Sequence, residues 1–331
     1  MIFPKTVYPE HCAKSIIAAG NYQPRSRIPF ATALPSGNDR AETVLGRNQC
    51  LGSHGAERLR IRPVAARGAP LRFTRLHHEP DGTFPNGIPN PLLPENQPVT
   101  AQAVVAAGAD MAVAFDGDFD RCFFFDHQGA FVPGEYVVGL LAEVFLAKEP
   151  GAVIVHDPRV VWNTQDIVAR AGGRAVMAPT GHAYLKAAMR EQGAVYGGEM
   201  SAHHYFRDFM CCDSGMIPWL LVAELMGRTG QSLSQLLAAR RAAYPSSGEV
   251  NFKVADKKKI IAKIAYSYGA QAEDVDHLDG HSFDMGAWRF NLRASNTEPL
   301  LRLNVEARAD LGGDAALVAL KVDELSAFIA G

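Results

Sequence analysis

Cysteine is scarce in this chain, with five in 331 residues, an odd number at irregular spacings. No CxxC or His-rich spacing accompanies them, so neither a zinc site nor a disulfide framework is indicated. Adjacent Cys211 and Cys212 read as ordinary buried thiols of a protein in the reducing cytoplasm. Net charge is scarce too. A formal value of −2 offers no electrostatic case for a nucleic-acid partner. Long apolar runs are lacking: Ile217–Met226 is too short to span a bilayer and contains Glu224. No charged-then-apolar leader opens the sequence. A cytoplasmic protein without membrane contact is expected. What is present is apolar content, 47% of residues, enough for two or three cores.

Regular structure is expected mainly after the first seventy residues. Residues 1–70 are rich in Arg, Pro, Ser and Gly, without lasting helical or strand periodicity, and are expected to be poorly ordered. A first α/β unit is expected over 71–150. It has a strand at "LRFTRL", a Pro/Gly/Asn turn region, a small-residue helix stopping near Gly108, the strand "MAVAF", and a helix in "GEYVVGLLAEVFLAK". Alternating strands and helices continue over 151–246 as a second α/β unit. A small α+β unit is expected over 247–331, with a Lys-rich helix and the alternating strand "LLRLNVEAR". The fold class is therefore mixed α/β with a small C-terminal α+β domain.

Three polar loops carry the chemistry. "AFDGDFDRC" places Asp116, Asp118 and Asp120 at alternate positions between two apolar stretches. Carboxylates so close repel, and a hard divalent cation, Mg²⁺ or Ca²⁺, offsets that repulsion. An acidic solvated turn is the plain alternative. "GGEMSAHH" puts Glu199 and Ser201 on one side of an extended segment, a donor–acceptor pair suited to a sugar's vicinal hydroxyls. "LRASNTEP" offers the fork of Arg293 with the short donors Ser295, Asn296 and Thr297, a combination suited to phosphate. A metal, a polyhydroxylated ring and a phosphate together describe a sugar-phosphate site.

These loops, with "PDGTFPNGIPNPLLPEN", "HDPRVVWNT", "TGHAYLK" and "CDSGMIPWLL", resemble the α-D-phosphohexomutases, most of all the bacterial phosphomannomutase branch. The likeness runs from about Leu71 to beyond Glu306. It implies four domains around one cleft, with residues 71–150, 151–246 and 247–331 as the second, third and fourth. It implies Mg²⁺ on Asp116, Asp118 and Asp120, with Arg121 beside the reacting phosphoryl. Arg159 and His182 would orient the substrate, and Glu199, Ser201 and His203 would face the sugar. Arg293, Ser295, Asn296 and Thr297 would grip the phosphate that is not transferred. The implied activity interconverts mannose 6-phosphate and mannose 1-phosphate, with glucose phosphates as further substrates, in the supply of GDP-mannose.

The family's phosphoserine lies in a T-A-S-H-N-P loop, and no such string occurs here; "GSHG" around Ser53 shares only Ser-His. Residues 1–70 are thus expected to be a truncated or frame-shifted remnant of the first domain, and turnover by the chain to be impaired. The alternative is an inactive sugar-phosphate binder. A phosphatase with an Asp nucleophile is disfavoured by the long motifs. A Ca²⁺ loop is disfavoured by His127, which stands where a twelfth-position Glu is needed.

Overall fold

The computed structural model describes residues 41–46, 71–77, 83, 85–87, 89–295 and 299–330. Among them, three five-stranded sheets carry the site loops. In the first, β1 (Ala41–Gly46), β2 (Leu71–Leu76), β3 (Met111–Phe115), β4 (Cys122–Asp126) and β5 (Phe131–Val132) lie in the order β2-β1-β3-β4-β5. The pairs around β1 are parallel, and β3, β4 and β5 are antiparallel. Strand β1 falls within residues 1–70, for which poor order is expected. Its six residues, Ala-Glu-Thr-Val-Leu-Gly, do not alternate apolar and polar, and it is parallel pairing with β2 and β3 that places them in the sheet. The rest of that expectation lies outside the described residues.

Strands β3 and β4 are buried throughout, because both faces of the sheet are covered. Side-chain alternation assigns the faces. Ala112, Ala114 and Phe125 pack with Val104 of helix α1 (Pro98–Ala107), whose small residues let it approach closely. Met111, Val113, Phe115 and Phe124 turn the other way, into the main core. That core runs on through helix α2 (Gly134–Lys148) to the second sheet.

The second sheet orders β6 (Val153–His156), β7 (Arg174–Met177), β8 (Tyr196–Gly198), β9 (His204–Phe206) and β10 (Cys212–Asp213) as β10-β9-β8-β6-β7. Strand β6 is parallel to β7 and β8. Helices α3 (Trp162–Arg170) and α4 (His182–Gln192) serve as crossovers, and α5 (Met216–Thr229) and α6 (Leu233–Ala243) follow. Asp116, Asp157 and Glu199 all follow the carboxyl ends of strands with parallel neighbours, where open α/β sheets gather their ligands.

The third sheet is antiparallel, in the order β11-β15-β14-β13-β12. It comprises β11 (Ser246–Lys253), β12 (Asp274–Asp276), β13 (His281–Asp284), β14 (Trp288–Ala294) and β15 (Leu300–Ala307), with helices α7 (Lys257–Tyr268) and α8 (Ala315–Ala330). Phe290, Leu292, Leu301, Leu303 and Val305 pack with Ile264, Leu325 and Ile329 of the two helices. Asn304 and Glu306 of β15 are buried, as are Arg289, Asn291 and Arg293 of β14. For Glu306, Arg289 and Asn304, contacts with the second sheet's loops are the reason, whereas Asn291 and Arg293 bond Asp279 between β12 and β13. Glu306 accepts from the Val161 and Trp162 amides at 2.8 and 3.1 Å, capping α3. Arg289 bonds Glu306 at 2.7 Å and the Pro158 and Arg159 carbonyls at 3.0 and 3.2 Å. Among the described residues, no helix is long and apolar enough to cross a membrane.

Candidate active site

Strand β3 delivers Asp116 to the sheet's edge, and Phe119 then takes a left-handed φ of 66° that folds the loop back. As a result the carboxylates of Asp116, Asp118 and Asp120 offer oxygens within 4.8 Å of one another. The deepest, Asp116, accepts from the Arg121 amide at 3.2 Å and from its Nε at 2.6 Å. Asp118 is exposed. Burial pushes the Asp120 carboxyl up to about 6; His203 and Arg121 oppose this, and Asp116 and Asp118 add to it. Among the described residues Asp120 Oδ1 is buried without a hydrogen bond, with Arg121 Nε 3.7 Å away. Three oxygen donors, one of them orphaned, fit a hard divalent cation. A further close approach fixes the loop. The Gly215 amide donates to the Phe119 carbonyl at 3.2 Å, and a Cβ at 215 would stand 2.6 Å from that oxygen and 2.8 Å from the Arg121 carbonyl oxygen. Only glycine admits this contact.

The second loop is the reversal between β8 and β9. Its amides at Glu199 and Ala202 donate to the His203 and Glu199 carbonyls, and Ala202 has φ 70°. Glu199 is buried; its Oε1 accepts from Tyr205 at 2.6 Å and its Oε2 from Ser201 at 3.3 Å. Arg159 closes the group. Its guanidinium pairs with Asp157, donates to Ser201 Oγ at 3.1 Å, and lies 3.6 Å from Glu199 Oε2 and 3.4 Å from Glu249 Oε2. Burial opposes the charge of Arg159, yet Asp157, Glu199 and Glu249 prevail and raise its pKa.

His203 joins the two loops. Its Nδ1 stands 3.3 Å from Asp213 Oδ2 and 3.8 Å from Asp120 Oδ2, and its backbone bridges that of Arg121. Burial lowers the His203 pKa, but the nearby carboxylates of Asp213, Asp120 and Glu199 reverse this and hold it above the usual value. Asp213 also pairs with Lys186 at 2.8 Å. Burial works against the Asp213 charge; His203 and Lys186 nevertheless hold the carboxyl far below its usual range.

In the C-terminal sheet, Arg293 is nearly buried and donates to Asp279 Oδ2 at 3.1 Å. Asp279 also accepts from the Thr180 amide at 3.1 Å, which brings the phosphate loop's strand to the loop ending at His182. His182 is the exposed first residue of α4. Arg293 Nε is buried with no partner among the described residues, and burial, then Arg159, lowers the Arg293 pKa. Ser295 is buried and its carbonyl accepts from Lys257 at 3.0 Å. Asn296 and Thr297 lie outside the described residues.

Six residues in these networks escape a reading of the sequence: Asp157, Lys186, Tyr205, Asp213, Glu249 and Asp279. Asp157 alone leaves a local signal, two positions before Arg159 in "HDPR". The others meet their partners across strands and loops that only the fold brings together.

Three profiles of one family match the chain: the phosphoglucomutase/phosphomannomutase alpha/beta/alpha domain II at residues 52–129, its alpha/beta/alpha domain III at 133–244, and its C-terminal domain at 249–320. The chain belongs to the phosphoglucomutase/phosphomannomutase family. It is 59% identical over 262 residues to a phosphohexose mutase of Xanthomonas campestris, covering 79% of this chain and 58% of that one. It is 50% identical over 317 residues to a phosphomannomutase of Vibrio cholerae, covering 94% and 67%. A crystal structure of a family member from Burkholderia thailandensis superposes with a TM-score of 0.72 at 30% identity, covering 91% of this chain and 62% of that one. The chain thus spans little more than half the length of the Xanthomonas relative.

Proposed function

We propose that this chain supplies the metal, sugar and phosphate loops of a phosphomannomutase acting on mannose 1-phosphate and mannose 6-phosphate in the cytoplasm. The observation that carries this reading is the convergence on Arg159: Ser201 and Glu199 of the sugar loop and Glu249 of the C-terminal sheet all meet its guanidinium. Likeness to phosphomannomutases at 50% identity and above supports the mannose assignment.

Asp116, Asp118 and Asp120 would hold Mg²⁺, which when bound offsets charge on a phosphoryl in transfer. Arg121, anchored on Asp116, keeps a cation beside that group. Glu199 and Ser201 receive the ring hydroxyls, and Arg159 orients both. Arg293 takes the phosphate that is not moving, with Ser295, Asn296 and Thr297 completing the cradle. His182 would help to orient the substrate and His203 would face the sugar.

A phosphoryl passing through a bisphosphate must be stored between half-reactions, and the 331 residues contain no T-A-S-H-N-P string. A polypeptide of this sequence alone is therefore proposed to bind the sugar phosphate with little or no turnover.

Thermal unfolding and a coupled mutase assay test both parts. Mannose 1-phosphate at a hundred times its Kd should stabilise the fold by about 2.7 kcal/mol, and free mannose should do far less. Equal stabilisation by free mannose would refute the phosphate cradle. Turnover abolished by Ser53→Ala would refute the missing nucleophile.

A further inference from the structure

We infer that Tyr205 is a positioning residue: its hydroxyl fixes which oxygen of Glu199 is offered to the sugar. The inference rests on the sugar-phosphate reading above. The terminal torsion of a glutamate is broad and two-fold, so the plane of the carboxylate is set by its partners. Glu199 is 2% exposed, and Tyr205 is wholly buried on β9, between Gly197 of β8, which has no side chain, and Asp213 of β10. Its ring is held independently of the hydroxyl. His203 lies against it, with centroids 6.2 Å apart and planes at 24°, and the Lys186 ammonium stands 5.8 Å from its centre.

The hydroxyl is thus left with one task, the 2.6 Å bond to Glu199 Oε1. Burial and the neighbouring Glu199 drive the phenol pKa upward, so it remains a donor. With Oε1 taken, Glu199 presents Oε2, the oxygen shared with Ser201 at 3.3 Å and facing Arg159 at 3.6 Å. One acceptor oxygen beside one hydroxyl is what a pair of neighbouring ring hydroxyls requires. Phenylalanine at 205 would keep the ring contacts, leave Oε1 unsatisfied and free the carboxylate to turn.

Calorimetry on Tyr205→Phe, with mannose 1-phosphate and inorganic phosphate as separate probes, tests this. Affinity for mannose 1-phosphate should fall about tenfold while affinity for inorganic phosphate stays within twofold, because only the sugar uses Glu199. In a Glu199→Ala background, Tyr205→Phe should add less than a twofold loss, since Tyr205 acts through Glu199. A wild-type measurement guards against misfolding: a slowly exchanging Tyr205 hydroxyl proton should be seen by NMR and vanish in Glu199→Ala. Unchanged sugar-phosphate affinity in Tyr205→Phe, an equal loss for both probes, additivity with Glu199→Ala, or absence of that proton overturns the inference. Failure of the wild type to bind mannose 1-phosphate overturns the sugar reading and this inference with it.

Discussion

Arg159 and Arg293 are both buried, yet they keep opposite company. Arg159 faces three carboxylates, from Asp157, Glu199 and Glu249, which hold it protonated against the cost of burial. Among the described residues Arg293 pairs with one carboxylate, Asp279, its Nε has no partner, and the charges of Arg159 and Arg302 work against it while that of Glu249 helps. A buried cation that carries its own counter-ions is part of the architecture. One that falls short of them has a place for an anion from outside. The two regions of the site thus differ in purpose: the Arg159 network orients, and Arg293 recognises.

The largest effect should come from removing the satisfied charge. Arg159→Ala leaves Asp157, Glu199 and Glu249 without their shared cation, and should cost about 3–5 kcal/mol in urea unfolding. Arg293→Ala should alter stability by no more than about 1 kcal/mol, because its removal also relieves an under-compensated charge. Its effect belongs in binding, where a charge-assisted contact worth about 1.5–3 kcal/mol is lost. Equal destabilisation by the two substitutions would break the comparison.

An acidic pair sharpens it. Glu306 and Glu135 are both buried where the second and third sheets meet α2. Glu306 is answered by Arg289 and the Val161 and Trp162 amides at the start of α3, whereas Glu135 meets no cation among the described residues, and the Ser246 hydroxyl and its own amide only partly offset its burial. Burial pushes Glu135 up from 4.5 to about 7, with Glu306 and Asp157 adding to the shift. A carboxyl with a raised pKa in the fold favours folding when protonated. Its contribution is complete below about pH 4.5 and disappears as pH rises to about 7. At about 1.4 kcal/mol for each tenfold change in acidity, about 3 kcal/mol should be lost across that window relative to Glu135→Gln. Urea midpoints of both proteins from pH 4.5 to 8 measure it, and parallel profiles would show Glu135 to be ordinary.

The contrast between these paired charges was only half legible in the sequence. The acids at 116, 118 and 120, the sugar loop and Arg293 stand in local strings, as do the strands and helices that carry them. Alternation in "LLRLNVEAR" found the strand but said nothing of the burial of Asn304 and Glu306, because one strand cannot tell water from a neighbouring domain's loop. Counter-ions were harder still. Asp279 lies fourteen residues from Arg293, and Glu249 ninety from Arg159. Sequence shows that a charge exists, while its compensation is a property of the fold.

Within the acidic loop the same distinction separates Asp116 from Asp118. Asp116 is buried and bonded to Arg121, while Asp118 is exposed. Asp118→Ala should therefore leave the unfolding midpoint almost unchanged while weakening Mg²⁺ binding at least about tenfold by calorimetry, a loss of about 1.4 kcal/mol. Unchanged Mg²⁺ affinity would mean that the loop is merely an acidic turn.

The finest test of the comparison keeps the charge and changes only its shape. Arg293→Lys retains a cation at the same strand position, and an ammonium can still reach the Asp279 carboxylate, so stability should hold. What is lost is the planar fork, which meets two phosphate oxygens at once where lysine meets them as a point charge. If Arg293 recognises the phosphate through that fork, affinity for inorganic phosphate and for mannose 1-phosphate should fall together. The expected loss is about 1 kcal/mol, roughly fivefold, smaller than for Arg293→Ala. If the site only attracts negative charge, lysine should equal arginine, and raising the salt concentration should weaken both alike. A forked contact predicts instead that the gap between arginine and lysine survives in high salt, because it lies in geometry rather than in the screened field.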